Sequence, residues 1–346
     1  GGTMLFSKNP DLFLPNFWPA YFEKTKGCNV WDLEGKKYLD LSMMGIGTNI
    51  LGYSRKEVDD AVRKVIDKGN MSTLNSKEEI LLAEKLVQMH PWAGQVRFAR
   101  TGGEAAAIAV RIARAATGKD QVAICGYHGW HDWYLSANLS DSKNLDSHLM
   151  RNLPINGVQK NLKNSVFVFE YNNFDQLKKI VAQNNIGTVI MEVSRNELPK
   201  KNFLENVRKL TKNRNIVLIF DECTSGFRET FGGLHLKYKI NPDIATFGKA
   251  LGNGYAVNAV IGTDSVMDYA NSTFISSTFW TERIGSVAGL KTLEVMEKIK
   301  SWDIISSLGK KVKANWELLA KKNNLKIKIQ GLSADRKSTR LNSSHT

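Results

Sequence analysis

The sequence predicts an α/β fold built on a mainly parallel sheet with helices on both faces. Two observations predict it. Short apolar runs alternate along the chain with segments of helical periodicity. The runs themselves are continuously apolar, as in strands covered on both sides, instead of alternating polar and apolar.

The elements follow in order. Residues 29–40 read as two short strands around the Glu34-Gly35 turn. A helix over 56–68 carries Val58, Val62, Val65 and Ile66 on one face. A second helix over 77–90, its turns marked by Ile80, Leu81, Glu84 and Leu86, ends at Pro91. Residues 96–99 are a short strand, 104–116 an Ala-rich helix and 121–125 a strand. Residues 141–164 are polar and punctuated by Pro and Gly, the pattern of a long surface loop. Strand and helix then alternate through 166–169, 174–183, 188–191, 204–212 and 216–220. Strands at 244–247 and 257–261 and a helix at 285–299 complete the series.

Composition narrows the class. The chain has 346 residues, long enough for a large domain and a smaller one. Hydrophobic residues make up 42% and charged residues 24%, an ordinary globular balance. No apolar run is long enough for a transmembrane helix, and residues 1–11 do not read as a secretory leader. Cys28, Cys125 and Cys223 are odd in number and far apart, so neither a disulfide framework nor a structural zinc site is expected, and a cytoplasmic setting fits. The net charge of +14 admits a polyanion binder. The lysines are dispersed, however, and no nucleic-acid motif accompanies them, so nucleic acid is not an expected partner.

Four motifs carry chemistry. Thr101-Gly102-Gly103-Glu104-Ala105 follows a strand and opens a helix, where backbone N–H groups suit a phosphate; a plain glycine turn is the alternative. Tyr127 and His128 lie in an aromatic loop past a strand end, where a ring stacks on a planar ligand. That loop also admits a packing role or a metal held by His128, His131 and Asp132. Asp221-Glu222 ends an apolar strand, so Asp221 needs a cationic partner; a helix cap or a pair with Arg228 is the alternative. Lys249 follows a short apolar strand and precedes a glycine-rich turn, a setting that makes an amine nucleophilic, though a surface lysine reads the same in isolation.

A phosphate cradle, a stacking ring, a buried acid and an activated lysine, in that order, are what pyridoxal phosphate (PLP) requires. In this combination the chain resembles the class III, fold type I, PLP-dependent aminotransferases, and most of all their glutamate-1-semialdehyde 2,1-aminomutase-like branch. The likeness runs from about residue 19 to about residue 323. It implies a seven-stranded sheet. It also implies Lys249 as the Schiff-base lysine, Asp221 as partner of the pyridine nitrogen, and Thr101, Gly102 and Gly103 at the phosphate. Tyr127 would stack on the ring, with His128 and Glu192 beside it. Ser277 and Thr278 would reach the phosphate of a neighbouring subunit, which makes a homodimer with a shared site the expected partner state.

The likeness further implies an N-terminal segment over 1–60, a large PLP-binding domain over 61–295, and the start of a truncated C-terminal domain over 296–333. Residues 334–346 resemble a translated sequencing adapter and are expected to be a non-native tail. The expected activity is amino transfer between an amino donor and a carbonyl acceptor, with an aminomutase or an inactive PLP fold as alternatives. Three places depart from the family pattern: Thr101 and Gly103 stand for Ser and Thr, Met191-Glu192-Val193 replaces Glu-Pro, and residues 278–283 are bulkier, which points to a different substrate.

Overall fold

The computed structural model describes residues 3–12, 17–41, 44–194 and 196–334. A small antiparallel sheet of β1 (Lys24–Lys26), β2 (Asn29–Trp31) and β3 (Lys37–Leu39) comes first. The sequence reading contains β2 and β3 but not β1, whose Lys-Thr-Lys carries no apolar signal.

The main sheet has seven strands in the order β4 (Gln95–Ala99), β10 (Asn258–Gly262), β9 (Ile244–Phe247), β8 (Val217–Asp221), β7 (Ile186–Met191), β5 (Gln121–Cys125), β6 (Val166–Val168). β5 to β9 run parallel, and β10 runs antiparallel to both β4 and β9. The sheet is therefore mainly parallel, with one reversed strand inserted second from the edge. Local patterning predicts where that strand lies but not its direction.

Both faces of the sheet are covered, which explains the continuous apolar runs. Successive residues of β8 point to opposite sides. Val217 and Ile219 join the layer under α3 (Gly102–Thr117), and Leu218 and Phe220 join the layer under α4 (Phe174–Gln183) and α5 (Phe203–Asn213). Ala105, Ala106, Ala109 and Ala113 of α3 are fully buried, so this helix lies close on the sheet behind the first loop of the site. Burying one Leu, Ile or Phe in such a layer contributes about 1.5–3 kcal/mol.

A third layer is helical. α1 (Lys56–Ile66) buries Val58, Val62 and Val65 against Val287 and Ala288 of α6 (Arg283–Ile299). α2 (Lys77–Met89) buries Leu82 and Leu86 against Leu293 and Met296 of α6. Ile66, Ile80 and Leu81 are exposed, contrary to the expected faces; the stripe is set by where α6 sits, which spacing on one helix does not reveal. Residue 60 lies inside α1 and residue 295 inside α6. α7 (Ser301–Lys322), which the sequence reading leaves unassigned, follows α6 after Lys300 turns the chain with φ of 50°.

The expected surface loop at 141–164 is partly internal. Leu145 is fully buried, and His148 accepts a hydrogen bond from the Gly126 N–H at 3.0 Å. Of the expected tail, residues 335–346 lie outside the described residues; the Ala334 N–H points to Glu229 Oε1 at 3.5 Å.

Candidate active site

The parallel strands β5, β7, β8 and β9 all end at one edge of the sheet, and β4 ends there too. Thr101, Tyr127, Glu192, Asp221 and Lys249 all follow or close those strand ends, so the topology gathers five widely spaced sequence positions. Because β10 is reversed, its first residue, Asn258, sits at the same edge, opposite Ala99.

Asp221 is the centre of the arrangement. Its Oδ2 accepts from His128 Nδ1 at 2.8 Å, and its Oδ1 accepts from the Cys223 N–H at 3.1 Å and the Thr246 hydroxyl at 3.0 Å. Burial alone would raise its pKa; the hydrogen bond and charge of His128, then the Cys223 N–H and the Thr246 hydroxyl, outweigh that and hold it below the usual range. An ionised carboxylate has roughly four lone-pair positions, and these bonds use three. One position is left for a further N–H donor. Arg228, the alternative partner, lies elsewhere: it donates to the Thr224 carbonyl and, at 2.7 Å, to the Gly47 carbonyl.

Lys249 follows β9 in a left-handed backbone conformation, φ 41°, uncommon for a side-chain-bearing residue. It is half-buried, and its Nζ donates to the Thr224 hydroxyl at 2.7 Å. The register pairs Asp221 with Thr246, three residues before Lys249, so acid and amine belong to adjacent strand ends.

The turn expected to hold phosphate opens α3. Thr101 and Glu104 form a capping box: the Thr101 hydroxyl accepts from the Glu104 N–H, and Glu104 accepts from the Thr101 N–H. The Thr101 side chain is thereby committed to the cap. The N–H groups of Gly102 and Gly103 have no carbonyl one turn back within the helix and are the ones available to an anion. The turn touches the rest of the site: a Cβ on Gly102 would sit 3.5 Å from Cys223 Sγ. Gly103 faces Gly129 across the aromatic loop, where a Cβ on Gly129 would fall 2.7 Å from Gly103 Cα.

Tyr127 is partly exposed, and its ring lies nearly perpendicular to that of Tyr134 with centroids 5.9 Å apart. Its N–H donates to Glu192 Oε2 at 3.2 Å. Glu192 thus fixes the backbone at Tyr127. His131 stacks on Trp130 at 4.6 Å, and His128 is turned to Asp221. Among the described residues, no three His, Cys, Asp or Glu side chains gather as a metal site. Ser277 and Thr278 are exposed on a separate segment, which Arg100 ties to the phosphate turn through the Trp280 and Glu282 carbonyls at 2.7 and 2.9 Å.

Four residues of this site escape sequence reasoning: Cys223, Thr224, Thr246 and Asn258. Thr246 is one polar residue in an apolar strand, and Asn258 opens another. A buried polar position in a strand that ends beside Asp221 was the available signal.

The residues fit PLP: a buried acid with one acceptor position left, helix N–H groups suited to a phosphate, and a primary amine on the strand end next to the acid. The family comparison agrees, since the model of aminotransferase class III matches residues 15–334. The chain is a class III aminotransferase. It is 33% identical over 334 residues to the 3-aminobutyryl-CoA aminotransferase of Cloacimonas acidaminovorans, covering 94% of this chain and 76% of that protein. It is 35% identical over 295 residues to the glutamate-1-semialdehyde 2,1-aminomutase of Nitrosopumilus maritimus, covering 82% and 68%. In structure it resembles the FumI protein of Sphingopyxis sp. MTA144 carrying PLP, with a TM-score of 0.84, 25% identity and coverage of 94% and 77%. It also resembles an omega-transaminase from Sphaerobacter thermophilus, with a TM-score of 0.82, 25% identity and coverage of 94% and 79%. This class III aminotransferase has PLP as its cofactor, and the described residues contain no helix long and apolar enough to cross a membrane.

Proposed function

We propose that this chain moves an amino group from an amino donor to a keto or aldehyde acceptor, with Lys249 and Asp221 as its catalytic residues. The observation that carries the reading is the buried Asp221 carboxylate, kept ionised and one hydrogen bond short of full, beside the Lys249 amine. Bound PLP supplies a carbonyl that takes up an amine and a ring that accepts the electrons released when a substrate Cα–H bond breaks.

The chain's residues divide the work. Asp221 holds a proton on the pyridine nitrogen, and His128 and Thr246 hold Asp221. The Gly102 and Gly103 N–H groups bind the phosphate, and Tyr127 covers one ring face, its backbone steadied by Glu192. Lys249 Nζ would hold the cofactor's carbonyl carbon and, as a free amine, would serve as the base for the substrate Cα proton. Ser277 and Thr278 serve the phosphate of a second subunit. Their exposure, beside Phe274 and Phe279 at 87% and 69% exposed, supports a homodimer. Three widely spaced cysteines suit a cytoplasmic setting.

The test is an absorbance scan with added PLP on wild type and Lys249→Ala. A visible band in the wild type that bleaches with an amino donor and is missing in the variant supports the reading; equal spectra overturn it. A second reading, the aminomutase, is favoured by the relative from Nitrosopumilus maritimus. Product analysis separates the two, because a transferase releases a carbonyl product from the donor and a mutase returns the amine to the same molecule.

A further inference from the structure

We infer that Thr224 is a positioning residue that holds the amine form of Lys249 and so weights the balance between linked and unlinked lysine. The inference rests on the assignment of Lys249 as the cofactor lysine. Thr224 lies three residues after Asp221, in the turn that leaves β8, and its hydroxyl accepts from Lys249 Nζ at 2.7 Å. The hydroxyl cannot drift far. The Thr224 carbonyl is gripped by Arg228 Nε, and the same guanidinium reaches the Gly47 carbonyl at 2.7 Å, so the turn is fastened to the N-terminal segment. On the other side, the neighbouring Cys223 N–H is tied to Asp221 Oδ1 at 3.1 Å. A β-branched side chain on a fastened backbone also has few rotamers.

The chemistry of the nitrogen makes this bond selective. When Lys249 links to the cofactor, its amine adds to the aldehyde carbon, a C=N bond replaces C=O, and the oxygen leaves as water. The nitrogen then keeps at most one hydrogen, in the plane of the new double bond. An amine or ammonium has two or three to donate. Thr224 therefore stabilises the lysine in the state reached after substrate has displaced it, and keeps Nζ at a fixed place when it must carry a proton.

The test compares two ligands. Pyridoxal phosphate links to Lys249, and pyridoxamine phosphate, which has no aldehyde, leaves it as an amine. In Thr224→Val, which keeps the shape and removes the hydroxyl, pyridoxal phosphate should bind about three- to tenfold more tightly, the worth of one hydrogen bond lost only from the amine state. Pyridoxamine phosphate affinity should stay as in the wild type, and Thr224→Ser should restore both. An unchanged affinity ratio, or a shift in the opposite sense, overturns the inference. Thr224→Ala provides the same ratio should the valine variant unfold. Borohydride reduction followed by mass spectrometry of the Lys249 peptide checks the underlying assignment by itself: an unmodified peptide removes Lys249 from its role whatever the Thr224 variants do.

Discussion

Asp221 and Glu222 are neighbours in the chain, both carboxylates are buried, and both are held below the usual carboxylate range against the opposing effect of burial. Their surroundings differ in kind. Asp221 accepts three hydrogen bonds and faces the site. Glu222 accepts four: from the Ser225 hydroxyl at 2.9 Å, the Leu234 N–H at 2.5 Å, and the N–H and Nδ1–H of His235 at 3.0 and 2.5 Å. The network continues outward. Trp92 Nε1 donates to His235 Nε2 at 2.9 Å. The Gly233 N–H donates to His90 Nε2, and His90 Nδ1 donates to the Leu86 carbonyl. One acid is filled and closes the fold; the other is left one bond short and is available to chemistry. An identical residue class at adjacent positions thus serves packing or reaction according to how completely its lone pairs are used.

The contrast is sharpest if each acid is removed in turn. Glu222→Ala strips four donors of their acceptor in a fully buried place and should cost about 3–5 kcal/mol of stability, read from urea unfolding. A cost below about 1 kcal/mol would break the contrast. Asp221→Asn keeps the shape and most hydrogen bonds but removes the charge. Its half-reaction with an amino donor should slow by about 10²–10³-fold, as when a preorganised charge is lost, while its urea midpoint falls by less than that of Glu222→Ala.

The closed side also predicts a pH dependence. Burial pushes the His90 pKa down to about 4, against about 6.5 in the unfolded chain. The unfolded state binds the proton first, so the His90 contribution is complete above pH 6.5 and is lost as pH falls toward about 4, roughly 3 kcal/mol in all. The lowered pKa values of Asp221 and Glu222 act below that window, since their contributions are present above the ordinary carboxylate pKa and are lost under it. Unfolding free energies measured between pH 7 and pH 4.5 should therefore decline in the wild type and flatten in His90→Gln. The smallest effect belongs to Trp92→Phe, which leaves His235 Nε2 without its donor; about 1–2 kcal/mol is expected, with no change in the amino-donor half-reaction.

Much of this was legible in the sequence, and for physical reasons. Strands covered on both faces must be apolar throughout, so β5, β8 and β9 were readable within a residue or two. Asp221 and Lys249 stood out because a charged residue at the end of such a strand demands an explanation. What stayed hidden depends on residues distant in sequence. The buried stripe of α2 follows from where α6 lies, so Leu82 was missed and Ile80 preferred. Thr224 and Asn258 matter only because β8 and β9 end where the reversed β10 begins, and that reversal leaves no local mark. His148 comes to Gly126 from a segment whose polarity suggested solvent.

The facing glycines of the phosphate turn and the aromatic loop have a consequence for the history of the sequence. At 2.7 Å between Gly103 Cα and a side-chain carbon on Gly129, an alanine at Gly129 forces the two loops apart. Gly103 cannot shrink to make room, because glycine is already the smallest residue. Damage at Gly129 therefore has no compensating substitution across the gap, and reversion is its direct repair. Lineages that keep the cofactor should hold this pair as a ratchet, free to vary around it but not through it.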